Sequence, residues 1–84
     1  MDKELIGKIT HVFDKISVVV IELEKSLKAG EKISIERDGE AFEQVVDSMQ
    51  IERTPIQEGK AGDAIGLKTI QPAKKGSDVY KVLQ

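Results

Sequence analysis

Apolar and polar residues alternate along most of the chain. From Leu5 to Phe13 one face carries Leu5, Gly7, Ile9, His11 and Phe13, and the other Ile6, Lys8, Thr10 and Val12. A period of two with apolar residues on both faces predicts a strand covered on both sides or bent by a bulge. Asp14-Lys15 separates this run from Ile16 to Leu23, where Ile16, Val18, Val19, Val20 and Ile21 are β-branched and favour a second strand. Val20, Leu23 and Leu27 also fall at helical spacing, with Gly30 placed as a C-cap, so a short helical turn over 24–28 stays open beside the strand reading.

Further along, Ile33 and Ile35 point inward between Lys32, Ser34 and Glu36. Asp38-Gly39 follows, and both residues tolerate the positive φ that a type I′ hairpin needs. The return from Ala41 to Glu52 breaks parity: Phe42, Gln44 and Val46 share one face, Met49 and Ile51 the other. That switch predicts a bulge near Asp47-Ser48. Thr54-Pro55 predicts the end of this strand, because proline cannot donate to a ladder. A polar turn over 57–62 leads to a strand from Asp63 to Ile70, in which Gly66 implies close backbone approach. A loop over 71–76 and a last strand from Ser77 to Leu83 complete the pattern.

About six strands without alternating helices exclude a doubly wound parallel sheet. The expected fold is all-β, a six-stranded closed antiparallel β-barrel. Residues 1–84 form a single domain and the barrel runs over about 5–83. Closure would remove the sheet edges that invite aggregation.

Composition narrows the chemistry. The absence of cysteine excludes disulfides, thiolate metal sites and a cysteine nucleophile. Phe13, Phe42 and Tyr80 are the only aromatic residues, too few for a base-stacking platform. The formal charge of −2 lacks the basic signature of a dedicated nucleic-acid binder. No apolar stretch follows a basic start, and the longest apolar run is Val18 to Ile21, so neither a signal peptide nor a membrane span is expected. The expected location is cytoplasmic. His11 is the single histidine and has no partner nucleophile by spacing, and Glu22, Glu24, Glu36, Asp38, Glu40 and Glu43 read as a solvated face. No catalytic residue, no metal site and no cofactor is expected. In Gly59-Lys60-Ala61-Gly62-Asp63 the acid would repel a phosphate, so a turn is favoured over an anion cradle. Arg53 offers a planar donor fork at a strand end.

From Gly7 to Val82 the order of motifs resembles the second, β-barrel domain of translational GTPases such as elongation factor Tu. Gly7-Lys8-Ile9, Leu27-Lys28-Ala29-Gly30-Glu31-Lys32-Ile33, Val46-Asp47-Ser48-Met49 and Glu58-Gly59-Lys60-Ala61-Gly62-Asp63-Ala64-Ile65-Gly66-Leu67 carry the resemblance. The GTPase domain is missing, so the chain looks like a stand-alone elongation-factor-like protein without GTP binding or hydrolysis. The resemblance implies a non-catalytic module that contacts tRNA or ribosomal RNA. It places Arg53 and Gln50 at positions that contact the tRNA 3′ end, and Gln50 stands where the family has a glutamate. With neighbouring Lys60, these are the candidate RNA-binding residues. A similar barrel ends some collagenase-like peptidases. The alternative expectation is therefore a protein-protein docking module acting with a separate partner protein.

Overall fold

The computed structural model describes residues 2–83. Its longest strand, β1 (Asp2–Phe13), is bent at two register shifts, between Leu5 and Gly7 on one side and between Ile9 and His11 on the other. These bulges realise the two-faced apolar pattern, because an extra residue re-aims the side chains beyond it. A 3-10 turn at Asp14–Ile16 and Ser17 in the left-handed region (φ 56°) return the chain into β2 (Val18–Leu23). No helix forms after β2. The chain bends and enters the two-residue β3 (Leu27–Lys28), which resolves the open choice at 24–28 in favour of extended structure.

Next come β4 (Lys32–Arg37) and β5 (Glu40–Val45), joined by Asp38 (φ 51°) and Gly39 (φ 83°) as the expected two-residue turn. The parity switch at 47–48 is not a bulge. The chain leaves the sheet after β5 and re-enters as β6 (Met49–Ile51) beside different neighbours, burying both Val46 and Met49. Pro55 does not end the strand. It lies inside β7 (Thr54–Ile56), which is an edge strand and can do without the missing N–H. β8 (Glu58–Gly59), β9 (Ala64–Lys68) and β10 (Asp78–Leu83) complete the set.

Every pairing is antiparallel. Eight strands form one sheet in the order β5-β4-β10-β1-β2-β9-β6-β7, and β3 pairs with β8 in a separate ladder. This corrects the expected closed six-stranded barrel. The apolar runs are cut into ten short strands, and β5 and β7 end the large sheet as edges with no ladder between them. The sheet is open, yet it curls. Gln44 on β5 donates from Nε2 to the Lys68 carbonyl (3.0 Å) and accepts at Oε1 from the Ile70 N–H (2.9 Å). One buried side-chain amide thus bridges the edge strand to the far end of β9, where no backbone partner runs.

The concave side holds one apolar cluster. Ile6, Ile9, Ile21, Leu23, Leu27, Ile33, Ile65, Leu67 and Val79 are almost fully buried in it, and Phe42, Ile51 and Ile56 pack against its rim. Tight backbone approach shapes the sheet at Gly7 and Gly59. A methyl group on Gly7 would lie 2.6 Å from the Glu22 carbonyl oxygen, and one on Gly59 2.7 Å from Leu23 Cδ1.

Candidate functional site

The sequence singles out Gln50, Arg53 and Lys60, and the structure places each differently. Gln50 sits in β6, half-buried, with its Cγ 3.3 Å from where a Gly66 side chain would begin. The glycine therefore makes room for the glutamine, as close approach at Gly66 implied. Arg53 is exposed at the tip of the β6–β7 hairpin. It and Glu52 are the two turn residues, both with positive φ (68° and 48°). Exposed Lys60 opens another turn, where its N–H donates to Asp63 Oδ2 (2.9 Å) and its carbonyl accepts from the Asp63 N–H (2.9 Å). Among the described residues no hydrogen bond or ion pair joins the three side chains.

A type I′ turn prefers Asn-Gly, because left-handed backbone costs other residues about 1–2 kcal/mol each. The double substitution Glu52→Asn, Arg53→Gly should therefore stabilise the protein by roughly 1–2 kcal/mol. Thermal unfolding checks this. A melting temperature equal to or below that of the parent would show that Arg53 is held by contacts worth more than its strain.

Two hollows flank the 71–77 loop. The larger, about 640 Å³, lies between the β4–β5 hairpin and this loop. Ile35, Phe42 and Ala73 supply its apolar surface, and Arg37, Asp38, Glu40 and Lys74 its charges. Arg37 is already engaged: Nη1 donates to the Lys75 carbonyl (2.8 Å), and Nε lies 3.5 Å from Asp38 Oδ2. The smaller hollow, about 280 Å³, is lined by Val12, Val18, Val19, Thr69, Pro72 and Ala73. Near it several apolar side chains face solvent: Phe13, Ile16 and Ile70, the last 73% exposed. The Thr69 N–H donates to the Ser17 carbonyl (2.8 Å), which sets Ile70 beside the Ile16 turn. Exposed apolar side chains gathered at one end of a small protein mark an interaction surface more often than a reaction site.

His11 is exposed and packs on Phe13, with ring centroids 4.5 Å apart. It converges with no cluster of acids, and no set of three potential metal ligands exists among the described residues. No helix of the described residues is long and apolar enough to cross a membrane.

Two carboxylates carry shifted pKa values. Hydrogen bonds from the Lys3 amine and then from the Ser34 hydroxyl (2.9 Å) hold Glu36 below the ordinary carboxylate range. The Lys25 amine does the same for Glu4. A depressed pKa adds stability above the unfolded value, and that stability is lost as pH falls through the folded one. Lys3 also lies 4.9 Å from the centre of the Tyr80 ring, so this pairing ties β1 to β4 across β10. Lys3→Met should accordingly lower stability by up to about 1 kcal/mol at pH 7, and the difference should shrink as pH falls below the ordinary glutamate range and Glu36 becomes protonated. Denaturant titrations of both proteins across pH 2–7 check this. A gap that persists at low pH would assign the effect to lost packing.

No family model matches the sequence. It is 36% identical over 76 residues to an uncharacterized protease of Methanocaldococcus jannaschii. The match takes in 89% of this chain and 19% of the protease, so the chain spans about a fifth of the length of that relative. Two solved structures share the fold. Both are of the C-terminal domain of a Geobacillus thermoleovorans protein described as a U32 peptidase, one of them as its selenomethionine variant. The TM-scores are 0.88 and, for the variant, 0.84, at 13% identity. The first alignment takes in 95% of this chain and 93% of that domain, the variant 90% and 96%. These likenesses correct the expected kinship with the elongation factor Tu barrel and the translation role that rested on it. With that role goes the expected binding of tRNA or ribosomal RNA. The fold is that of a U32 peptidase C-terminal domain.

Proposed function

We propose that residues 5–83 act as one non-catalytic, protein-docking domain that works with a peptidase catalytic unit in the cytoplasm. The match to a segment amounting to about a fifth of a protease carries this reading. Such a segment leaves the greater part of that chain to other work. Two features of the molecule agree. No group of three histidine, aspartate or glutamate side chains among the described residues could hold a metal ion, whereas Phe13, Ile16 and Ile70 present apolar surface at one end. Burying such side chains against a partner contributes about 25 cal/mol per Å² of apolar area. The lack of cysteine suits a reducing compartment.

Affinity capture from the source cells, with nuclease present throughout, tests the reading. A stoichiometric partner bearing a peptidase catalytic unit is the expected result. Capture that disappears with nuclease, or hydrolysis of peptides by the purified chain alone, would overturn it.

A further inference from the structure

We infer that the free edge of β5 takes an extended, lysine- or arginine-bearing segment of the partner protein as an added strand. This inference rests on the docking reading above and names where and how the partner binds.

The hydrogen-bond phase of β5 is fixed at both ends. The Asp38-Gly39 turn makes Arg37 and Glu40 a hydrogen-bonded pair, as two-residue type I′ loops do. At the far end the Val46 N–H donates to the Glu31 carbonyl, and the Val46 carbonyl accepts from the Gly30 N–H (both 2.8 Å). Even-numbered residues of β5 therefore face β4. Ala41 and Glu43 point their N–H and C=O groups off the free edge, where the sheet has no further strand. The other edge strand, β7, carries Pro55, which removes an edge donor, and β5 contains no proline.

The cleft lies along this same stretch. Its 640 Å³ volume separates Glu40, Ala41 and Phe42 from Gln71 to Lys74. The Gln44 clasp to Lys68 and Ile70 bounds the far end of that stretch. A segment of about four residues added to β5 would alternate its side chains between the two faces. The residue facing Phe42 would enter the apolar floor formed by Ile35, Phe42 and Ala73.

Charge selects the occupant. Glu40 has no ion-pair partner among the described residues, and Glu43 shares only Oε1 with Lys32, at 3.1 Å. β5 itself carries no lysine or arginine. A second copy of β5 would bring two further acids and no base to the edge, leaving Glu40 and Glu43 without a counter-charge. A strand with a basic residue facing Glu40, an apolar one facing Phe42 and a basic one facing Glu43 complements both acids of β5 and the apolar floor, while Arg37 of the groove is already held by the Lys75 carbonyl and Asp38.

The test is amide hydrogen exchange by NMR on the full chain, with a blocked peptide Gly-Lys-Val-Ser-Lys-Gly and separately with the captured partner. The Ala41 and Glu43 amides should slow about tenfold or more in both cases. The matching Gly-Glu-Val-Ser-Glu-Gly peptide should leave them unchanged. Ala41→Pro removes only an outward N–H and should abolish both effects. The double substitution Glu40→Lys, Glu43→Lys, which leaves the backbone intact, should transfer binding from the lysine peptide to the glutamate peptide. Protection by the partner confined to the Phe13–Ile16–Ile70 end would overturn the β5 site while leaving the docking reading intact. Peptide binding at β5 without any peptidase partner would do the reverse. Unchanged Ala41 and Glu43 amides with every ligand, or a dimer that Ala41→Pro dissolves, would overturn the site outright.

Discussion

Replacing Gln44 with leucine should destabilise the protein by roughly 2–3 kcal/mol, although volume and burial are nearly kept. The carboxamide of Gln44 stands where a strand is missing. Its Nε2–H donates to the Lys68 carbonyl and its Oε1 accepts from the Ile70 N–H, the two bonds a parallel partner would make to the residue between them. Leucine leaves both backbone groups without a partner or lets the curled sheet spring open, and either outcome costs more than the bonds alone. A domain of this length is stabilised by roughly 4–12 kcal/mol in total, so the loss is a large share. Gln44→Glu should fall between the two. An ionised carboxylate accepts from Ile70 but cannot donate to Lys68, so this variant should gain stability as the glutamate becomes protonated. Urea titrations at pH 4 and pH 7 check both substitutions. A leucine variant as stable as the parent would mean that the sheet curls without its clasp.

A second large effect is expected at Gly7. This residue pairs with Leu23 of β2 and Val79 of β10, next to the first bulge of β1. A methyl group there would meet the Glu22 carbonyl oxygen at 2.6 Å and Ile21 Cγ2 at 3.0 Å. The nearer of these is backbone in the middle of a ladder, which cannot rotate away as a side chain can. Gly7→Ala should thus cost about 2–3 kcal/mol, as overpacking in close-packed interiors does. For a chain of this size that lowers the melting temperature by about 10–20 °C. Alanine at Gly30, where nothing lies within 4 Å but φ is +94°, separates clash from backbone strain. Its loss should be nearer 1 kcal/mol.

Much of the strand content was legible because burial on one face enforces a period of two. The Asp38-Gly39 turn, the bent β1 and the tight contact at Gly66 all follow from local chemistry. Connectivity across space was not legible. Nothing in the sequence near Asp47-Ser48 distinguishes a bulge from a crossing between strands, since both shift parity by one residue. Pro55 was misleading because its penalty depends on whether both sides of the strand are paired, a property of the whole sheet. The curl of the open sheet depends on Gln44, which on β5 reads as an ordinary polar residue sharing a face with Phe42 and Val46. Its burial at 7% exposure was the missing signal, and only the curl of the sheet creates it.

The candidate site was less legible still. Motif order singles out Gln50, Arg53 and Lys60, whereas the structure puts them in a strand and two separate turns. Short glycine-bearing turns such as Gly59 to Asp63 recur wherever strands must reverse, so they carry fold information and little about ligands. The β5 edge gives no motif at all. It becomes visible only when hydrogen-bond phase, edge position and the adjoining cleft coincide at Ala41 and Glu43.

On the proposed reading this domain docks onto a peptidase. Sedimentation velocity on the purified chain mixed with the Methanocaldococcus jannaschii protease, its matching 76-residue segment deleted, tests that claim most directly. A single faster boundary at one-to-one stoichiometry is expected, lost when the intact protease is used instead. Two independent boundaries throughout the micromolar range would contradict it.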